Sequence, residues 1–345
     1  MTTSAEALEL HRASLVIDTH NDTIINHIRL DGQSLSNENE KTAIPKGTVD
    51  FLRERYRGDH AKTTLQINFP KMRAGGIDAA FFAVDCTLAR NNYLAYSLDA
   101  LGALHAQIER AGGEVILATC AKDIRSARRD GKLAVVMVIE NSDGVEGSLN
   151  VLRCLHHVGV RSIGLTHNTS SWAADGNEEA RSRGGLTTFG ISLIEEMNRL
   201  GMLIDVSHIS EHGFWDVIET TDKPIIASHS TCTAVCNHPR NLTDDQIKAI
   251  DQGGGVIGMT FVPRFVASED PTLEDFLDHI DHAVQLVGPQ VVGIGSDFDG
   301  GGLLMHDATH FPDITQGLLD RGYSEDDIRG ILGENHLRVF EAACG

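Results

Sequence analysis

The sequence reads as one parallel (β/α)8 barrel, on three grounds. Short apolar runs with β-branched weight recur eight times, at 15–18, 79–84, 133–139, 162–165, 202–206, 224–227, 256–260 and 291–295. Such runs suit strands buried on both faces. Segments of helical periodicity lie between them, and repeated strand–helix alternation points to a parallel α/β barrel, with a doubly wound open sheet as the structural alternative. The length of 345 residues suits a single barrel, and no low-complexity linker divides 1–345 into two domains.

The first strand, in "SLVIDTHNDT", is an apolar run that ends abruptly in Asp18, His20 and Asp22. After it comes the widest irregular stretch, about 27–60, whose polar composition predicts a long loop acting as a lid or rim over a site. Helices are expected in "NNYLAYSLDALGALHAQIERAGG", "GGLTTFGISLIEEMNRLG", "SEHGFWDVIETTD", "LTDDQIKAIDQGG" and "LEDFLDHIDHAVQLVG". Several stop at glycine, and "LTDD" before "QIKAI" has the pattern of an N-cap.

A formal charge of −20 and a pI near 5.2 argue against nucleic-acid and anionic-membrane partners, which need a basic stripe. The N-terminus lacks a basic segment followed by an apolar one, and no apolar run reaches the roughly 18 residues of a membrane span. Six cysteines in so long a chain form no dense disulfide framework, and a cytoplasmic location is expected. Cys232 and Cys236 invite a metal reading that lacks a second cysteine pair.

Barrels place their chemistry at the C-terminal ends of the strands. His20 and Asp22 end the first strand, Glu140 the third, His167 the fourth, His208 the fifth, His229 the sixth and Asp297 the eighth. Singly, each histidine has an ordinary reading as a hydrogen-bonded rim residue, and Asp297 one as a helix cap. Together, buried carboxylates and imidazoles on one small mouth need cations or hydrogen bonds to compensate them. A metal site is the simplest account. Nitrogen and oxygen donors without thiolate fit Zn²⁺, Mn²⁺, Fe²⁺ or Co²⁺. Five ligands beyond Asp297 exceed what one catalytic zinc takes, so two metals are expected, as in hydrolytic binuclear sites. Arg240, in "HPRNLTDDQ", is placed either to hold a substrate carboxylate or to pair on the surface with Asp244 or Asp245. "DQGGGVIGMTF" is no phosphate loop, since its glycines precede the strand. "DFDGGG" is no calcium loop, since its twelfth position is Ala308.

In order and spacing, "IDTHND", "GLTHNTSSWAADG", "LIDVSHIS", "IIASHS…HPRNLTDDQ" and "VVGIGSDFDG" resemble the membrane (renal) dipeptidase family of zinc metallopeptidases. "FPKMRAGGIDAAFFAV" and "ILGENHLRVF" extend the likeness over nearly the whole chain. The resemblance implies a (β/α)8 barrel with two Zn²⁺ ions. His20, Asp22 and Glu140 would bind one, and Glu140, His208 and His229 the other. It further implies that His167 contacts the substrate carbonyl, that Arg240 binds the substrate's terminal carboxylate, and that Asp297 takes a proton from a metal-bridging water and returns it to the leaving amine. The implied substrate is a dipeptide, L-Xaa-D-Xaa included, and a homodimer is expected by analogy alone. "IENSDG" and "QINFP" depart from the common family pattern, which bears on side-chain preference. Asp18 has no place among the implied ligands and is expected to orient a histidine. The competing readings are another binuclear amidohydrolase, acting on lactones, phosphotriesters or N-acyl amino acids, and an inert barrel that only binds.

Overall fold

The computed structural model describes residues 3–29, 32–41, 64–89, 91–179 and 181–345. Its strands are β1 (Ile17–Asn21), β2 (Ala79–Asp85), β3 (Val115–Leu117), β4 (Leu133–Glu140), β5 (Val160–Gly164), β6 (Leu203–Asp205), β7 (Ile226–Ser230), β8 (Val256–Met259) and β9 (Val292–Ile294). Eight of them close a ring: β1 pairs β2, β2 pairs β4, and parallel pairing continues in order through β9, whose Ile294 stands opposite Asp18 of β1. That last pairing excludes an open sheet, and the fold is a (β/α)8 barrel.

The eight ring strands are the eight apolar runs expected from the sequence, with ends shifted by a few residues. β3 was not expected. Its three residues are too few to show a period, and it pairs only with the first three residues of β4, on the edge that β5 covers further along. The five expected helices form at Tyr93–Arg110, Thr188–Leu200, Glu211–Thr220, Asp244–Gln252 and Leu273–Val287. Thr243 caps the fourth, accepting from the Gln246 amide while Gln246 accepts from its own, so "LTDD" is a capping box. The loop expected at 27–60 needs correction at its start, because 27–29 end the helix Thr23–Arg29. Residues 30–31 and 42–63, most of that loop, lie outside the described residues.

Alternation along the strands separates two apolar layers. Ala80, Phe82 and Val84 of β2, with Val135, Met137 and Ile139 of β4, face the surrounding helices. Ala79, Phe81 and Ala83, with Ala134, Val136 and Val138, line the barrel interior, where Leu337, Val339 and Phe340 of the helix Asn335–Cys344 join them. Phe340 meets Phe81 edge to face, with ring centroids 5.5 Å apart. The C-terminal helix thereby shuts the end of the barrel where the strands begin. The opposite mouth is left for polar groups. Among the described residues, no helix is long and apolar enough to cross a membrane.

His11 ties the first helix, Ala5–Ala13, to the barrel. Its Nδ1 lies 2.7 Å from Thr315 Oγ1 and its Nε2 2.8 Å from the Gly75 carbonyl oxygen. Burial lowers its pKa to about 4, against the raising effect of the Gly75 carbonyl. The unfolded chain binds this proton from pH ~6.5 downward and the folded chain does not, so stability rises with pH between about 4 and ~6.5. Urea unfolding of His11→Gln is expected to show a shallower loss of stability on acidification through that window. The difference should approach ~1.4 kcal/mol per pH unit. Identical pH slopes for variant and parent would contradict this account.

Candidate metal centre

The strand period decides which side chains reach the open mouth. Ala134, Val136 and Val138 face inward, so Glu140, next in that parity, faces inward at the top of β4. The same rule on β2 brings Asp85 to the mouth, opposite Glu140 in the ladder. His20 and His229 use another device. The β1–β2 ladder shifts register between Asp18 and Asn21, and the β7–β8 ladder between Ala227 and Ser230. Irregularities of this kind re-aim side chains beside functional sites. His208 and Asp297, just past β6 and β9, are held in left-handed backbone with φ of 68° and 56°. That conformation is costly for a non-glycine residue and persists only where the surroundings over-determine it.

Glu140 is the hub of the centre. Its Oε1 lies 3.0 Å from His208 Nε2 and 3.5 Å from His229 Nε2, and its Oε2 lies 3.7 Å from His20 Nε2. His20 Nε2 is in turn 3.8 Å from Asp22 Oδ2. His167 stacks on His208, ring centroids 4.3 Å apart. At this mouth donor atoms converge in three groups among the described residues: His20, Glu140 and His229; Glu140, His167 and His208; and His20, Asp22 and Asp297. The seven strand-end residues thus meet around one point, with His167 and Asp297 nearer the donors than the expected ligand sets had them. Asp22, Glu140, His167, His208, His229 and Asp297 line a cavity of about 260 Å³. Gly300 lies over it, and a Cβ there would overlap the carboxylates of Asp22 and Asp297.

Hydrogen bonds fix which histidine nitrogen faces the centre. Ser228 Oγ donates to Asp205 Oδ2 at 2.5 Å, which uses its only proton. The same oxygen lies 2.9 Å from His229 Nδ1 and 3.3 Å from His20 Nδ1, so both rings donate to it and turn Nε2 inward. His208 Nδ1 donates to Asn168 Oδ1 at 2.7 Å with the same result. His208 Nε2 and His229 Nε2 are consequently two lone pairs facing each other at 2.8 Å. Buried His20 Nε2 has no hydrogen-bond partner among the described residues. Lone pairs aimed together and an orphaned ring nitrogen beside carboxylates fit divalent cations.

The protonation states show the same need for positive charge. Burial pushes the Asp297 carboxyl well above the usual carboxylate range, and Asp22 and Glu140 push it further. Burial raises Glu140 as well, against the pull of His20. His208 and His229 are pushed well below the ordinary histidine value, first by burial and then by neighbouring cations. His20 goes the other way: burial opposes its charge, but Glu140 and Asp22 overcome that and raise it.

Arg240 is no surface residue. It is 6% exposed, its Nη2 donates to the His229 carbonyl at 3.2 Å, and its Nε has no hydrogen-bond partner among the described residues. Asp244 pairs with His282 and Asp245 with Lys248, which removes the surface alternative. Burial lowers the Arg240 pKa to about 10. Arg240 borders an adjoining cavity of about 250 Å³ that meets the first at His208. Cys232 and Cys236 are free thiols, and neither joins a group of converging donors among the described residues. Asp18 does not orient a histidine ring, contrary to expectation. Its carboxylate accepts from the Ser296 amide and hydroxyl at 2.7 and 2.8 Å, fixing the segment that carries Asp297.

Asp85, Asn168, Asp205 and Ser228 were not expected at the site. Extending the second strand by one residue would have exposed Asp85. The other three act through hydrogen bonds across strands, which sequence spacing does not reveal.

The sequence model of the membrane dipeptidase family (Peptidase family M19) matches residues 4–344. The chain is 37% identical to dipeptidase verJ of Clonostachys rogersoniana over 265 residues, 76% of this chain and 68% of that protein. It is 34% identical to dipeptidase aclJ of Aspergillus oryzae over 299 residues, 82% and 71% of the two chains. A metallopeptidase from Rhodobacter sphaeroides, solved with a phosphinate mimic of the dipeptide L-Ala-D-Ala, superposes with a TM-score of 0.80 at 25% identity, covering 96% of this chain and 99% of that one.

If Ser228 holds two inward-facing histidines, Ser228→Ala is expected to weaken zinc binding about 10–100-fold while leaving the circular dichroism unchanged. Competition with a chromophoric chelator measures this. Undiminished affinity would contradict the orienting role.

Proposed function

As a member of the membrane dipeptidase family, peptidase family M19, the chain is a metallo-dipeptidase, and we propose that it uses two zinc ions held on either side of Glu140 to cleave free dipeptides. One observation carries the reading: a single buried carboxylate with His20 against one oxygen and His208 and His229 against the other. His20, Asp22 and Glu140 would hold one ion, and Glu140, His208 and His229 the second. Bound there, the ions supply Lewis acidity toward the scissile carbonyl and lower the pKa of an adjacent water.

The rest falls to the chain's own residues. The half-buried Asp297 carboxylate, beside Asp22 and Glu140, has a raised proton affinity. It takes the proton of the attacking water and passes it to the leaving nitrogen, serving as base and then as acid. The imidazole of His167, half-buried and stacked on His208, donates to the carbonyl oxygen as negative charge develops there. Arg240, with donors left to make, holds the free carboxylate of the substrate. The cavity of about 260 Å³ lined by His167 and Asp297, with the adjoining one of about 250 Å³ bordered by Arg240, has room for a dipeptide and little more. The ligand of the Rhodobacter sphaeroides protein supports including a D-residue at the C-terminal position. The six free thiols support a reducing, cytoplasmic location.

The test is a stereochemically resolved panel on the zinc-loaded protein: L-Ala-L-Ala and L-Ala-D-Ala against N-acetyl-alanine and simple lactones. Hydrolysis of the dipeptides is expected, abolished by chelation and restored by zinc. Asp297→Asn should lower kcat by roughly 10²–10⁴ with zinc content retained. Turnover of only the acylated or lactone substrates would overturn the reading.

A further inference from the structure

The cavity has both acidic and basic groups. Asp22, Asp85, Glu140, Asp297 and Asp299 supply the acidic groups of the lining, and Arg264 supplies the guanidinium among the described residues. Arg264 sits on the short helical turn Pro263–Val266, begun by Pro263, whose ring fixes the backbone there. Its guanidinium lies 5.2 Å from the Phe265 ring and makes no hydrogen bond or ion pair among the described residues. The Arg240 guanidinium is 5.3 Å from the same ring. Two cations therefore share one aromatic side chain, one at each of the two cavities that meet at His208.

Their spacing is built into the fold. Asn241, next to Arg240, donates to the Phe265 carbonyl at 2.8 Å, and Thr231 donates to the same oxygen at 3.0 Å. The same Thr231 hydroxyl, with one proton shared between the two acceptors, lies 2.6 Å from Asn241 Oδ1, and His279 Nε2 lies 2.9 Å from the Val266 carbonyl oxygen. The loop after β7 and the turn after β8 are thus clamped together by buried side chains, with one arginine on each. One guanidinium suffices for one carboxylate in a bidentate pair. A dipeptide with a neutral C-terminal side chain would leave the second guanidinium unmatched.

We propose that Arg264 binds a second carboxylate, so that the preferred substrates are dipeptides whose C-terminal residue carries an acidic side chain. This rests on the dipeptidase reading, with Arg240 on the α-carboxylate. The experiment compares kcat/KM for Ala-Glu and its uncharged isostere Ala-Gln, each with an L- and a D-configured second residue, in the zinc-loaded parent, Arg264→Ala and Arg264→Glu. The parent is expected to favour glutamate over glutamine by about tenfold or more, the worth of one partly exposed charge-assisted pair. That ratio should fall to near one in Arg264→Ala, and Arg264→Glu should prefer Ala-Lys over Ala-Glu. A parent ratio near one, or a ratio unchanged in Arg264→Ala, overturns the proposal while leaving the dipeptidase reading intact. Failure to hydrolyse any of these dipeptides overturns both.

Discussion

Everything at the open mouth of this barrel is arranged around the carboxylate of Glu140. It sits 5% exposed, with histidines against both oxygens and further carboxylates close by. A buried anion in such company is tolerable only if positive charge is shared among the groups around it. The protein on its own answers with protons, raising the affinity of His20 and Asp297 for them. Divalent cations answer the same demand more completely, which is why an arrangement that would be a liability in a structural core is coherent as a hydrolytic centre.

Much of the remaining fold serves to hold that arrangement in place. The hydrogen bond from Ser228 to Asp205 determines the inward nitrogen of two histidines at once, and Asp18 secures the segment that presents Asp297. The left-handed backbone at His208 and Asp297 places strain at the site itself. Compensation comes from the closed interior beneath, where the C-terminal helix packs Phe340 onto Phe81 and seals the far end. A rigid floor and fixed rings spare the ligand donors the reorganisation that a looser scaffold would require.

The barrel was legible in the sequence because parallel strands covered on both faces leave unbroken apolar runs, and each ring strand left one. The site was legible for a related reason: an acid or histidine directly after such a run has few roles in a core, and seven of them in register with strand ends have fewer still. What stayed hidden depends on contacts between distant segments. Arg240 read equally well as a surface residue until its burial and the other partners of Asp244 and Asp245 were known. Asp18 follows the same alternation as His20, yet a serine 278 positions away, not a histidine, takes its carboxylate. β3 was too short to show a period, and Arg264 gave no sign of facing the cavity until the turn that carries it was placed.

The central claim is that Glu140 is shared by two metal ions. Anomalous diffraction at the zinc edge, from crystals grown with zinc, tests it most directly. The account predicts two peaks roughly 3.5–4 Å apart, one beside each oxygen of Glu140. One should be bounded by His20 and Asp22, and the other by His208 and His229. A single peak, or a pair in which only one ion touches Glu140, would contradict it.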